Sequence, residues 1–230
     1  MKVRKSQRLR SESISETPRG KHSALTSMLM ACTLVRVLVL GGEHLVTLGS
    51  VRAAVKRFPD LQILHFDAHA DLREDYLGNP LSHACVLRRC YDLLGDGRIH
   101  QFGIRSGTRE EFAFMAAGHV ITERHTCATL KRLTFPADVP VYLTVDMDVL
   151  DPSEFPGTGT QEAGGLRFRE LLEALLDIFA RFNIVAFDNV ELAPSLDPSG
   201  RSTALACKLL REELLGMETG MKTGGTDLRP

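Results

Sequence analysis

Short apolar runs along this chain stop abruptly at acidic or glycine-rich positions. Val35 to Leu40 runs into Gly41-Gly42, Leu61 to Phe66 into Asp67, and Val141 to Val145 into Asp146, while a fourth run, Ile184 to Phe187, lies shortly before Glu191. Such stretches, bounded by turn formers or charges, predict buried strands. Further strands are expected at Arg98 to Ile104 and around His119 to Thr122. Helical spacing takes over between them: VTLGSVRAAVKRF follows His44, an amphipathic stretch from Leu166 to Phe182 carries Leu171, Leu172, Leu175, Leu176 and Phe179, and a last helix is expected from Thr203 to Leu215. Alternating strands and helices predict an α/β sandwich.

The acids after the strands follow the geometry of an extended chain. Alternate side chains point to one side, about 6.5 to 7 Å apart. In LQILHFDAHADLR this aims Asp67, His69 and Asp71 at one volume, and in VYLTVDMDVLDP it does the same for Asp146 and Asp148. A parallel sheet opens its ligand crevice beyond the carboxyl ends of its strands. His44, just past Gly41-Gly42, is a third contributor to the same spot. A lone Asp-x-Asp is more often a cap or loop feature than a ligand pair. Four carboxylates crowded into one crevice, however, would repel one another without cations.

His44, Asp67, His69, Asp71, Asp146 and Asp148 therefore form a candidate metal set. It is oxygen-rich, contains two imidazoles and no cysteine, and favours Mn²⁺, with Mg²⁺, Co²⁺ or Zn²⁺ as substitutes. Six ligands serve two ions only if carboxylates are shared, which holds the ions about 3.5 to 4 Å apart and acidifies a water between them. Four carboxylates and a hydroxide outweigh two dications by one charge, and Glu191 adds another acid. The crevice should attract a small cation with an electrophilic carbon. Taken alone, Glu191 reads equally well as a cap or surface acid, and His83 as a polar residue at a helix start.

The segments GGEHLVT, HFDAHADLR, GNPLSHACVLRR, TVDMDVLDPSEFPGTGTQEAGG and FDNVELAPSLDPSGRSTALA resemble, in order and spacing, the signature blocks of the arginase and agmatinase (ureohydrolase) family, from about Val35 to Leu215. The resemblance implies a three-layer α/β/α sandwich on a mainly parallel sheet and two Mn²⁺ per chain. It also implies hydrolysis of a guanidino group to urea and an amine, and a homo-oligomer. Position by position, it makes Asp67 and Asp146 bridging ligands, gives His44 and Asp71 to one ion, and gives His69 and Asp148 to the other. It makes His83 the proton-shuttling histidine and Glu191 the acid that grips the guanidinium. After the DAHAD block, arginases continue with an Asn-Thr-Pro stretch. This chain continues LREDYLGNPLSH, which resembles agmatinase and points to agmatine, giving putrescine and urea. Arginine, guanidinobutyrate and formiminoglutamate remain alternatives as substrates. Glu74 and Asp75 read either as acids drawing a distal amine or as a solvated loop.

Departures from the family pattern are Leu45 for serine, Gln161 for proline, and an atypical start. Residues 1–34 are polar and basic and are expected to be disordered, with an edge strand and part of one pocket wall missing. The catalytic domain is expected over 35–216 and a loose tail over 217–230. A non-catalytic paralogue and a single-zinc deacetylase are the rival readings, although the second leaves His44 and Asp148 unused. The 230 residues, 43% of them hydrophobic with a formal net charge of −1, describe one ordinary globular core, with no nucleic-acid partner. The apolar run from Leu25 to Leu40 is broken by Arg36 and is shorter than the roughly 18 residues a membrane span needs. Five scattered cysteines suit reduced thiols in a cytoplasmic protein, Cys85 and Cys90 as helix-packing groups. His65, inside a strand, reads as a satisfied structural group.

Overall fold

The computed structural model describes residues 36–224, with side chains to residue 218. The disorder expected for residues 1–34 lies outside the described residues, as does the end of the tail expected to be loose. Six strands form one sheet: β1 (Val37–Leu40), β2 (Gln62–Phe66), β3 (Ile99–Ile104), β4 (Ile121–Arg124), β5 (Pro140–Asp146) and β6 (Asn183–Val190). Their order is β1-β6-β5-β2-β3-β4, and every registered pairing is parallel. Four helices lie in the crossovers that parallel pairing requires, α1 (Val46–Arg57), α2 (Val86–Leu94), α3 (Arg109–Ala116) and α4 (Phe168–Arg181), a 3-10 turn (Ala128–Arg132) lies between β4 and β5, and α5 (Arg201–Gly224) follows β6.

Strand alternation divides the core between the two faces. Ile63 and Tyr142 face α1, α2 and α3, packing with Leu48, Val51, Val86 and Leu87. Leu64, Phe66, Leu143 and Val145 face α4 and α5, packing with Leu171, Leu175, Phe179 and Leu209. The result is the expected three-layer α/β/α sandwich.

Some elements differ from the apolar pattern. β6 runs beyond Phe187 through the polar pair Asp188 and Asn189, because it pairs with β1 on one side and β5 on the other over those residues. Helix α5 continues past Leu215 to Gly224. Helix α3 lacks an apolar stripe but has a reciprocal capping box, Thr108 with Glu111. That Thr-x-x-Glu signature is visible in the sequence.

Candidate metal centre

The site assembles where β1, β2, β5 and β6 end. Past β1, Gly41 and Gly42 adopt φ of 62° and 94°, a region open to glycine, and this turn brings the buried His44 to the start of α1. Asp67 follows β2 directly and Asp146 is the last residue of β5. Parallel register of Phe66 with Val145 sets these two acids side by side. Asp146 then opens a single 3-10 turn, Met147–Val149, that carries Asp148.

Backbone amides fix one oxygen of each of these acids. His69 N donates to Asp67 Oδ1 at 2.6 Å, Asp148 N to Asp146 Oδ1 at 2.8 Å, and Ala68 N to Asp148 Oδ1 at 3.0 Å. The second oxygens converge on two imidazoles. His44 Nδ1 lies 3.2 Å from Asp67 Oδ2, 3.0 Å from Asp71 Oδ2 and 3.4 Å from Asp146 Oδ2. His69 Nδ1 lies 2.9 Å from Asp148 Oδ2 and also 3.4 Å from Asp67 Oδ1, the oxygen its own amide holds. Asp71 reaches the cluster with a left-handed φ of 54°, an unfavourable conformation for a residue with a Cβ that is found at functional sites. All six residues of the candidate set are thus brought together.

The His44 ring tests whether this cluster suits a cation. Its Nε2 is 3.0 Å from Thr144 Oγ1, whose own hydrogen goes to Asp188 Oδ1 at 2.6 Å. Thr144 must then accept from His44 Nε2–H, so in the neutral ring Nδ1 carries the lone pair. In that neutral ring the buried nitrogen has no hydrogen-bond partner, because the three carboxylate oxygens it faces are acceptors like itself. A divalent cation fits such a donor set, and His44, Asp67, His69, Asp71, Asp146 and Asp148 are the groups that would hold it. Two overlapping ligand groups, one with His44 and His65 and one with His69 and Asp148, share Asp67.

Protonation of the cation-free chain shows the same electrostatic demand. Burial opposes a charge on His44, but Asp146, Asp67 and Asp71 hold its pKa well above the ordinary value. Burial likewise opposes the His69 cation, and Asp148 and Asp67 outweigh it, raising the pKa to about 11. Burial first, then the Asp67 charge, pushes Asp71 up to about 7. Asp146 is driven well upward by burial, Asp148 and Asp67, whereas the three histidines around Asp67 overcome its burial and hold it low. Protons are occupying positions that favour positive charge.

A cavity of about 230 Å³ opens over the cluster, lined by His69, Asp71, His83, Asp146, Glu162 and Glu191 among others. Glu191, with φ of 63° just past β6, accepts from His44 N at 2.7 Å through Oε1. Burial raises its pKa against the pull of that amide. His83 sits in a 3-10 turn before α2, half-exposed, with Nδ1 3.2 Å from Glu43 Oε1. Glu74 and Asp75 do not line the cavity. Glu74 pairs with Arg88 and Arg89, and Asp75 accepts from Gly78 N within a turn, which is the solvated-loop alternative.

Two neighbours of the site were not visible as such in the sequence. Arg105 spends its guanidinium on carbonyls, donating to Asp148 O at 2.7 Å, Val149 O at 3.3 Å and Glu162 O at 2.9 Å, and so ties the Asp148 turn to the following loop. Glu162, on that loop, brings Oε1 to 3.9 Å from His69 Nε2.

The fold and site define a parallel α/β protein with a candidate metal centre at its strand ends. The chain belongs to the arginase family, whose family model matches residues 11–216. It is 47% identical over 180 residues to an agmatinase of Halalkalibacterium halodurans, covering 77% of this chain and 62% of that protein. It is 46% identical over 180 residues to an agmatinase of Bacillus subtilis, with the same coverage of 77% and 62%. The chain therefore spans less than two thirds of the length of these curated relatives. Among solved structures, the agmatine ureohydrolase of Thermoplasma volcanium superimposes with a TM-score of 0.80 at 34% identity, covering 91% of this chain and 72% of that one.

Proposed function

We propose that the chain hydrolyses agmatine to putrescine and urea at a binuclear manganese centre held by His44, Asp67, His69, Asp71, Asp146 and Asp148. The observation that carries this reading is His44 Nδ1, a buried nitrogen that in the neutral ring faces oxygens of Asp67, Asp71 and Asp146 with no hydrogen between them. When bound, the ions supply Lewis acidity and lower the pKa of a water at the centre. Glu191 binds the guanidinium. Its carboxylate forms charge-assisted hydrogen bonds with a planar cation, and His44 N fixes its orientation. His83, at the cavity wall, holds a proton for the departing amine, and Glu43 steadies its ring. The naming of the bacterial relatives favours agmatine over arginine.

Among the described residues no helix is long and apolar enough to cross a membrane, and Cys85, Cys90, Cys127 and Cys207 are free thiols. Both suit the cytoplasm, where we place the protein.

Urea release tests the reading. The full chain, loaded with Mn²⁺, is offered agmatine, arginine, guanidinobutyrate and formiminoglutamate. Agmatine is expected to be the best substrate, and Glu191→Gln should raise its KM by about 10-fold or more, the weight of a hydrogen bond to a charged group. A chain holding two Mn²⁺ that releases urea from none of the guanidines refutes the proposed activity.

A further inference from the structure

His65 lies in β2, two residues before Asp67, wholly buried, and its Nε2 is 2.8 Å from Asp67 Oδ2. A ring nitrogen so close to a carboxylate and to His44 is a candidate ligand in its own right. Which role it takes depends on which nitrogen bears the hydrogen, and the surrounding bonds determine this without reference to any ion.

The determining residue is Gln101 of β3, also fully buried. Its Nε2 lies 2.8 Å from Ala70 O and 3.1 Å from His65 Nδ1, and its Oε1 is 3.0 Å from Thr122 Oγ1. Ala70 O is a carbonyl and only accepts, so the nitrogen of the amide must point towards it. Reversing the amide would set two carbonyl oxygens against each other. The second hydrogen of the same NH₂ then donates to His65 Nδ1, which must carry the lone pair. His65 Nε2 therefore bears the hydrogen and donates it to Asp67 Oδ2. Both ring nitrogens are thus engaged, and neither has a lone pair left for a metal.

From this chain of bonds we infer that Thr122, Gln101 and His65 form a relay, running from the half-buried Thr122 of β4 through β3 to β2, that positions Asp67 and excludes His65 from the ligand set. His65 is a positioning residue. Its hydrogen fixes the rotation of the Asp67 carboxylate, the one acid common to both candidate ligand groups. Through Ala70 O, Gln101 also anchors the loop between His69 and Asp71, so a single amide ties down three of the six proposed ligands. Metal ligands held by outer partners typically lose 10–100-fold in affinity when those partners are removed. The inference rests on the metal reading proposed above.

The test uses the full chain with His65→Gln, His65→Leu and Gln101→Glu. Gln at position 65 keeps a donor near the site of Nε2, whereas Leu keeps none. Glu at position 101 places an acceptor where the amide donated. Two readouts apply: the Mn²⁺ dissociation constant from calorimetric titration, and the hydrogen-bearing nitrogen of His65 from ¹H–¹⁵N correlation spectra of the metal-free chain. In the wild type the hydrogen is expected on Nε2. His65→Leu and Gln101→Glu should weaken Mn²⁺ binding about 10–100-fold, and His65→Gln should recover most of the loss. Circular dichroism of the metal-free variants checks that each is folded, and the spectrum of the wild type carries the inference independently if one is not. A hydrogen on Nδ1 in the wild type overturns the relay, as does an unchanged Mn²⁺ constant in a folded Gln101→Glu. A wild-type chain that binds no Mn²⁺ overturns the metal reading and the positioning role together, and the ¹⁵N spectrum still distinguishes that result from a wrong bond assignment.

Discussion

Thr144→Val should damage the centre from behind while leaving every proposed ligand in place. The Thr144 hydroxyl is buried between His44 Nε2, from which it accepts, and Asp188 Oδ1, to which it donates. Valine matches the shape and removes both bonds, so it is not a neutral exchange. A buried group stripped of its partner costs about 1–3 kcal/mol. Two such groups in one network give about 2–5 kcal/mol in total, since losses that share a network need not add fully. Thr144→Ser keeps the hydroxyl and forfeits one methyl group, about 1 kcal/mol. Urea denaturation of the metal-free proteins at pH 7, with equal m-values, gives the difference between the two variants. Calorimetric titration should show Mn²⁺ bound about 10–100-fold more weakly by the valine form. If valine is no more destabilising than serine and binds Mn²⁺ equally well, the hydroxyl does not hold His44 and the lone-pair argument for Nδ1 falls with it.

Four further outcomes follow from the same geometry. Asp146→Asn should cut Mn²⁺ stoichiometry below two per chain by elemental analysis while raising the stability of the metal-free protein in denaturant melts, because burial and the Asp148 and Asp67 charges disfavour the Asp146 anion; loss of metal-free stability is the contrary result. Glu213 is buried on α5 and, despite its bond from Asn189, burial lifts its pKa from 4.5 to about 7. The folded state therefore holds a proton that the unfolded chain releases, and stability is full below pH 4.5 and declines as pH rises towards 7. Glu213→Gln should remove that decline, at most about 3 kcal/mol, and parallel pH profiles of the two proteins in denaturant melts would refute it. A Cβ on Gly165 would meet Asp151 N at 2.6 Å and Arg105 Nη2 at 2.7 Å, so Gly165→Ala should destabilise by about 1–3 kcal/mol in thermal melts. His83→Ala should lower turnover about 10²- to 10⁴-fold at unchanged Mn²⁺ content, and unaltered turnover would remove its proton role.

The ligand acids were legible because strand alternation and strand ends are local properties. Asp67 and Asp71 follow one strand, Asp146 and Asp148 stand at the end of another, and each pair carries its own spacing. What surrounds them was less legible, because its meaning depends on partners from other strands. Asp188 looks like the end of an apolar run until Tyr142, Thr144 and Thr47 supply it with three hydroxyl donors. His65 read correctly as a satisfied group, but its donation to Asp67 needs Gln101, 36 positions away. Arg105 resembles any arginine after a strand until the Asp148 turn and the Glu162 loop fold over it. Glu74 and Asp75 illustrate the converse: two acids in the right part of the sequence are taken up by nearby arginines and a turn.

His44, past β1, reaches the acids beyond β2 and β5 only across β6, which pairs with β1 on one side and β5 on the other, so the cluster cannot exist before β1 and β6 have met. On the metal reading, an unfolded chain offers scattered acids with little grip on a cation, and only the finished sheet captures one. A ligand selective for the native state deepens its well in proportion to the logarithm of supply, about 2.7 kcal/mol at one hundred times the dissociation constant. Survival of this protein under heat or proteolysis would then track the free manganese around it.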